Sequence, residues 1–152
     1  MADLIRIANG ELSAVINPFG AELSSLRDAD GRELMTDADP AYWTGRAPIL
    51  FPVVGRVNGD VIRIDGGEYP MPKHGFARRS PFEVVAAEET RAVFALTDSD
   101  ATRAAYPFAF RLEVAFRLDG ATLLTEVTIA NRGDRAMPAQ LGFHPAFAWP
   151  LP

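Results

Sequence analysis

Between Phe108 and Leu118 the chain alternates strictly. Phe108, Phe110, Leu112, Val114, Phe116 and Leu118 fall on one side, and Ala109, Arg111, Glu113, Ala115 and Arg117 on the other. A period of two marks a strand with one buried face, because successive side chains of an extended chain point to opposite faces. Asp119-Gly120 follows as a turn signal. Turning there sets Phe116 opposite Leu123, Leu112 opposite Val127 and Phe110 opposite Ile129. Turn and alternation then agree on a register, which commits this part of the chain to antiparallel sheet.

The rest reads the same way. Leu4 to Ile16 is interrupted only by Asn9-Gly10, a strong short hairpin signal because both residues tolerate positive φ. Asp28-Ala29-Asp30-Gly31 separates Ala21–Leu26 from Glu33–Met35. A turn at Gly66-Gly67 would set Ile64 opposite Tyr69 and Ile62 opposite Met71. Helix has little room: Pro40 to Trp43 offers a turn, and Ser99 to Ala105 a short helix capped by Ser99 or Asp100 and closed before Pro107. Serial hairpins predict an all-β antiparallel sandwich, with residues 1–152 as one domain. One stretch departs from this pattern. Ala47 to Arg56 is an apolar run interrupted by Pro48 and Pro52, which argues against a regular central strand, and it ends on an arginine that needs a partner.

Composition bounds the function. With 48% hydrophobic and 23% charged residues the 152-residue chain can build a core. A net charge of −5 without a basic run argues against nucleic acid and anionic membrane surfaces. Cysteine is absent, so there is no disulfide framework or thiolate metal site, and two histidines alone make a poor zinc set. No apolar stretch approaches a membrane span, and Met1-Ala2-Asp3-Leu4 lacks a secretory signature. The default expectation is a soluble cytoplasmic protein.

Both histidines sit among aromatics and backbone-shaping residues, His74 in His74-Gly75-Phe76-Ala77-Arg78 and His144 in Gly142-Phe143-His144-Pro145-Ala146-Phe147. Histidine titrates nearest neutrality, so two in such settings suit proton exchange with a polar, uncharged molecule. Each candidate also has a reading without chemistry. His74 fits a surface turn, and His144 a buried ring satisfied by backbone. Arg56 can cap a loop carbonyl or pair with Asp60, and Arg78 with Arg79 can be a solvated charge pair. Trp43 and Trp149 suit a core as well as stacking on a sugar ring. Asp37, Asp39 and Asp60 suit turns. No phosphate loop, nucleophile elbow or helical metal-ligand pair is present.

Taken together, four segments closely resemble the aldose 1-epimerase (galactose mutarotase-like) family: Ala47 to Arg56, His74 to Arg78, Tyr106-Pro107-Phe108, and Gly142 to Phe147. The opening Ile16-Asn17-Pro18-Phe19-Gly20-Ala21-Glu22-Leu23 fits the same pattern. The His-Gly-Phe-Ala-Arg form is more similar to the branch holding hexose-6-phosphate epimerases than to typical galactose mutarotases. The resemblance implies a large antiparallel β-sandwich that interconverts α and β anomers of a free or phosphorylated aldose by acid–base ring opening, without metal or organic cofactor. It implies His144 as the acid, His74 as a hydrogen-bonding partner at the reacting oxygens, and Arg56 as a ligand of sugar hydroxyls. Phe76, Trp43 and Trp149 are expected to wall the pocket, with Arg78 or Arg79 reaching a phosphate.

The family domain is about twice as long, and its base is a late glutamate preceded by a sugar-binding aspartate. No position here matches either, so the chain reads as the first half of such a domain, truncated on its C-terminal side. Glu22, Glu33, Glu83, Glu113 and Glu126 offer no justified replacement, so residues 1–152 alone are expected to accelerate anomer exchange weakly or not at all. The expected partner is a monosaccharide or sugar phosphate. Unpaired strand edges and uncovered apolar residues such as Phe110, Leu112 and Phe116 make instability or a homodimer the expected behaviour of the segment alone. The rival readings are a non-catalytic carbohydrate-binding module lacking the base, and a purely structural β domain.

Overall fold

A computed structural model describes residues 3–151. Eleven strands, one short α-helix and two 3-10 turns (Asn58–Asp60 and Ala77–Arg79) are assigned among them: β1 (Ile5–Ala8), β2 (Ser13–Asn17), β3 (Glu22–Arg27), β4 (Ile49–Leu50), β5 (Val61–Ile64), β6 (Gly67–Pro70), β7 (Glu83–Ala87), β8 (Arg91–Thr97), α1 (Asp100–Ala105), β9 (Phe110–Asp119), β10 (Thr122–Asn131) and β11 (Gly142–Phe143). A three-stranded sheet in the order β1-β2-β3 and a four-stranded sheet in the order β10-β9-β8-β7 form the body, with the small pairs β11-β4 and β5-β6 beside them. All strand pairs are antiparallel. The all-β sandwich expected from the sequence is the fold observed, and among the described residues no helix is long and apolar enough to cross a membrane.

The alternation of β9 is realised without exception. From Phe110 to Leu118 every second residue is buried and the residues between are half-buried. The core it contributes to also takes Ile7, Ala14 and Ile16 from the first sheet and Phe94 from β8. This corrects one expectation: Phe110, Leu112 and Phe116 are at most 2% exposed, inside that shared core. The half-covered apolar residues lie one strand further out, at Leu123, Val127 and Ile129 of β10. An apolar cleft of about 490 Å³ opens there, among Leu23, Leu26, Phe116, Leu123 and Phe147.

Hairpin registers are the second correction. Asp119 pairs with Thr122, Leu112 with Ile129 and Val114 with Val127, so the turn is Gly120-Ala121. In β5-β6, Ile62 pairs with Tyr69 and Ile64 with Gly67, so the turn is Asp65-Gly66. Both residues there have positive φ, 49° and 81°. Aspartate tolerates that conformation through its short polar side chain, which frees Gly67 to enter the strand. Each register is displaced by two, an even number, so the side chains keep their faces. Asn9-Gly10 belongs to a four-residue loop, since Ala8 pairs with Ser13. Asn9 Oδ1 accepts the amide N–H groups of Glu11 and Leu12, which widens the turn. The Asp28–Gly31 turn closes as expected, with Gly31 N–H donating to Asp28 O. In α1, Ser99 and Thr102 form a reciprocal capping box.

A second cluster of rings joins the core to the loops. Phe51, Phe76, Tyr106 and Phe110 meet with centroids 5.4 to 6.3 Å apart. The buried Tyr106 hydroxyl donates to Pro138 O at 2.7 Å, and burial pushes its pKa up to about 12. Tyr106→Phe is expected to lower stability by about 1 kcal/mol at neutral pH, the usual worth of such a bond. The raised pKa adds a second signature. The folded state holds the phenolic proton longer than the unfolded chain, so wild-type stability falls as pH climbs from about 10 to about 12, and the variant lacks that part of the decline. Urea unfolding at the two pH values measures both effects.

Candidate active site

The proline-interrupted segment 46–56 is the spine between the two histidine loops. Its start is held by Glu22, whose Oε1 accepts the N–H groups of Arg46 and Ala47. Along one side runs the segment carrying His144. Gly142 and Phe143 pair with Leu50 and Ile49, Ala146 N–H donates to Arg46 O, and Gln140 bonds Pro52 O through its N–H and Val54 N–H through its Oε1. Along the other side runs the segment carrying His74. Phe51 bridges Gly75, and Phe51 O accepts from both Phe76 and Ala77 N–H. An apolar run with two prolines lacks some ladder donors, so it suits an irregular connection whose carbonyls serve both neighbours.

His74 adopts φ 67°, unusual for a residue with a side chain. Its N–H donates to Gly55 O at 2.7 Å, and its Nδ1 accepts Gly55 N–H at 2.9 Å. The imidazole is therefore fastened to the loop that carries Arg56. Burial holds its pKa below the ordinary value, and the charges of Arg78, Lys73 and His144 act in the same direction. His144 is carried by the segment along the other side of the spine. It is exposed, and its ring stacks on Trp43 with centroids 4.8 Å apart and planes 29° apart.

The remaining candidates are placed differently. Arg56 is exposed and forms a two-pronged pair with Asp60, through Nε at 2.7 Å and Nη2 at 2.5 Å. Arg78 donates from Nη2 to Lys73 O, while its buried Nε has no protein acceptor. Burial and the neighbouring Arg79 lower its pKa, and the Glu22 carboxylate opposes that shift. Phe76 is part of the aromatic cluster beneath the loops. Trp149 is 91% exposed. Asp37 and Asp39 accept main-chain N–H groups two residues on, as turn residues do. Among the described residues no group of three His, Asp or Glu side chains is arranged to hold a metal ion.

Sequence reasoning missed three contributors. Gly55 acts through its main chain, Glu22 through two amides more than twenty residues away, and Gln140 through Val54. For Glu22 a signal existed in the Gly20-Ala21-Glu22-Leu23 run. The other two leave none.

Chemically, the arrangement offers a histidine ring held from behind, a second histidine supported by an indole face, and a half-buried guanidinium beside the first. Carbohydrates are commonly met by such combinations of flat apolar faces and charged donors.

Comparison with known proteins gives a consistent result. The sequence pattern described as aldose 1-epimerase matches residues 3–151. The plasmid form of Protein LacX from Lactococcus lactis subsp. lactis is 33% identical over 153 aligned residues, which cover 97% of this chain and 51% of that protein. A galactose mutarotase related enzyme from Lactobacillus acidophilus superposes with a TM-score of 0.95 at 36% identity, over 97% of this chain and 50% of the other. A galactose mutarotase-like protein from Lactobacillus casei gives 0.92 at 38% identity, over 95% and 50%. The chain spans about half the length of these relatives.

Proposed function

Because this chain belongs to the aldose 1-epimerase family, we propose that it supplies the acid side of a mutarotase site, acting on a free or phosphorylated aldose in the cytoplasm. The observation that carries the reading is the shared spine, which binds the His74 loop along one side and the His144 segment along the other. Opening the ring of an aldose requires a proton at the ring oxygen while another leaves O1. His144 is the proton donor in this proposal, His74 a hydrogen-bond partner at the reacting oxygens, and Arg56 a ligand of hydroxyls once it exchanges its surface pair with Asp60 for substrate. Solvent screens such an exposed pair, so the exchange costs little. Trp43 provides a face against which the sugar ring and His144 are ordered, and Phe76 supports His74 from below. Trp149 completes the wall only if its segment folds inward over bound sugar.

A specific observation favours a second reading for this segment. Glu22, the carboxylate whose charge reaches Arg78, already holds two main-chain amides on Oε1 and is poorly placed to take the proton from O1. A carbohydrate-binding module without its own base is the alternative. Polarimetry decides: accelerated anomer exchange supports the enzyme, and sugar binding without acceleration supports the module.

Arg78 bears on the substrate. Its guanidinium is only half-buried, so a phosphate on the sugar that reaches its exposed edge would find a charge-assisted donor there. Glucose 6-phosphate is expected to bind about tenfold tighter than glucose, and Arg78→Ala to erase the difference. Equal affinities for the two sugars, unmoved by the substitution, would remove phosphate from the proposal. Isothermal calorimetry measures all four combinations.

A further inference from the structure

Proton placement on His74 follows from its fastening. A main-chain N–H can only donate, so the Gly55 amide at 2.9 Å requires an unprotonated Nδ1 with its lone pair directed at Gly55. A neutral imidazole then carries its proton on Nε2. The second bond, from His74 N–H to Gly55 O, holds the two residues in mutual register, and the positive φ of both residues lets their main chains face each other. Among the described residues no protein group accepts from Nε2. Nor is that atom buried without a partner, since Arg78 Nε alone has that status. The Nε2–H is therefore open to an incoming molecule.

We infer that Gly55 is a positioning residue that fixes His74 as a one-way hydrogen-bond donor through Nε2, which excludes His74 from acting as the base. The identity of the acceptor as a sugar oxygen rests on the function proposed above; the fixed tautomer does not. Donor-only character has a consequence for division of labour. A neutral imidazole N–H is far too weak an acid to deliver its proton at neutral pH, and its basic nitrogen faces away, toward Gly55. His74 can polarise an oxygen, while proton transfer on this side of the site falls to His144.

Acid should undo the fastening. Protonating Nδ1 turns it into a donor facing a donor, and the groups acting on the ring are themselves cations or a second histidine: Lys73, Arg78 and His144. The folded-state pKa of His74 lies below its ordinary value, so the unfolded chain binds the proton more readily. The stabilisation is present above the ordinary histidine pKa and is lost as pH falls through the lowered one.

The test combines tautomer spectroscopy with two substitutions. In the ¹⁵N-histidine-labelled protein at pH 7, the His74 resonances, assigned by their disappearance in His74→Asn, are expected to show a protonated Nε2 and a hydrogen-bonded, unprotonated Nδ1. A protonated Nδ1, a free-imidazole mixture of tautomers or a cation at that pH would overturn the inference. Asparagine places its Oδ1 near the Nδ1 position and tolerates positive φ, so His74→Asn keeps the bond to Gly55 and lacks the outer donor. Glutamine reaches the Nε2 position but offers Gly55 nothing. His74→Asn is therefore expected to keep the wild-type melting temperature and weaken glucose or glucose 6-phosphate binding about tenfold. His74→Gln is expected to melt several degrees lower. The reverse order of stabilities would also overturn the fastening. Correct spectra and stabilities in a protein that binds neither sugar would leave the tautomer standing and sink the proposed function.

Discussion

Gly75→Ala is expected to cost about 2–6 kcal/mol, a large share of the stability of an ordinary domain. A Cβ at position 75 would lie 2.1 Å from Phe51 O, 2.4 Å from Phe51 C and 2.7 Å from Pro52 N. These are main-chain atoms that cannot swing aside as a side-chain end does. Phe51 O is also pinned by two N–H donors, from Phe76 and Ala77, and the Phe51 ring is fully buried. To the overpacking, typically about 1–3 kcal/mol, is added the strain of a side chain at φ 70°, about 1–3 kcal/mol. Gly31→Ala isolates the second contribution, because that glycine has a similar φ of 79° but nothing within 4 Å of the added carbon. Chemical denaturation of the two variants should separate them widely, and equal losses would mean that the close approach of the His74 loop to the spine is not as described.

Wherever polarimetry finds accelerated anomer exchange, His144→Ala is expected to lower that acceleration by about 10²–10⁴-fold, the range typical of a positioned acid or base. Because the proposed role is proton delivery, glucose affinity should change far less than turnover. Trp43→Leu provides the contrast: it keeps the acid but removes the 4.8 Å stack that orders it. A smaller loss of turnover is expected there, because the acid remains but is no longer held against the indole. Polarimetry across pH, paired with calorimetry, distinguishes the two variants. Undiminished exchange in His144→Ala would transfer the acid role elsewhere and remove the central element of the proposed mechanism.

Much of the fold was legible because it rests on periodicity. The β9 alternation identified its buried face correctly, and the even displacement of two hairpin registers left those faces unchanged. What misled was the turn chemistry. Glycine pairs and Asp-Gly pairs both permit positive φ, and the choice of Asp65-Gly66 over Gly66-Gly67, or Gly120-Ala121 over Asp119-Gly120, depends on where the flanking strands find partners. At Asn9 the side chain, not the dihedral preference, shaped the loop. The burial of Phe110, Leu112 and Phe116 was missed because the core they join gathers residues from distant parts of the chain, such as Phe51 and Phe76 against Phe110.

The candidate site was legible to the extent that it uses side chains. Two histidines among rings and glycines drew attention by composition, and the apolar run ending on Arg56 did so by its cost. Arg56 met that cost in the simplest way, with Asp60 four residues on. The contacts that orient the site are mostly main-chain: Gly55 to His74, Phe51 to the 76–77 amides, Arg46 to Ala146. Every residue but proline owns such donors, so sequence cannot single out the ones that matter.

The Trp43–His144 stack has an optical consequence. An indole in contact with an imidazole is quenched more strongly when that ring is cationic, because the charged ring is the better acceptor of an excited electron. Trp43 therefore reports on the charge of His144 by its own emission, without label or substrate. The second tryptophan, Trp149, stands 91% exposed and supplies a red-shifted signal from water against which the first can be read. Substituting Trp149 with phenylalanine would leave a single emitter whose brightness follows one proton on the proposed acid.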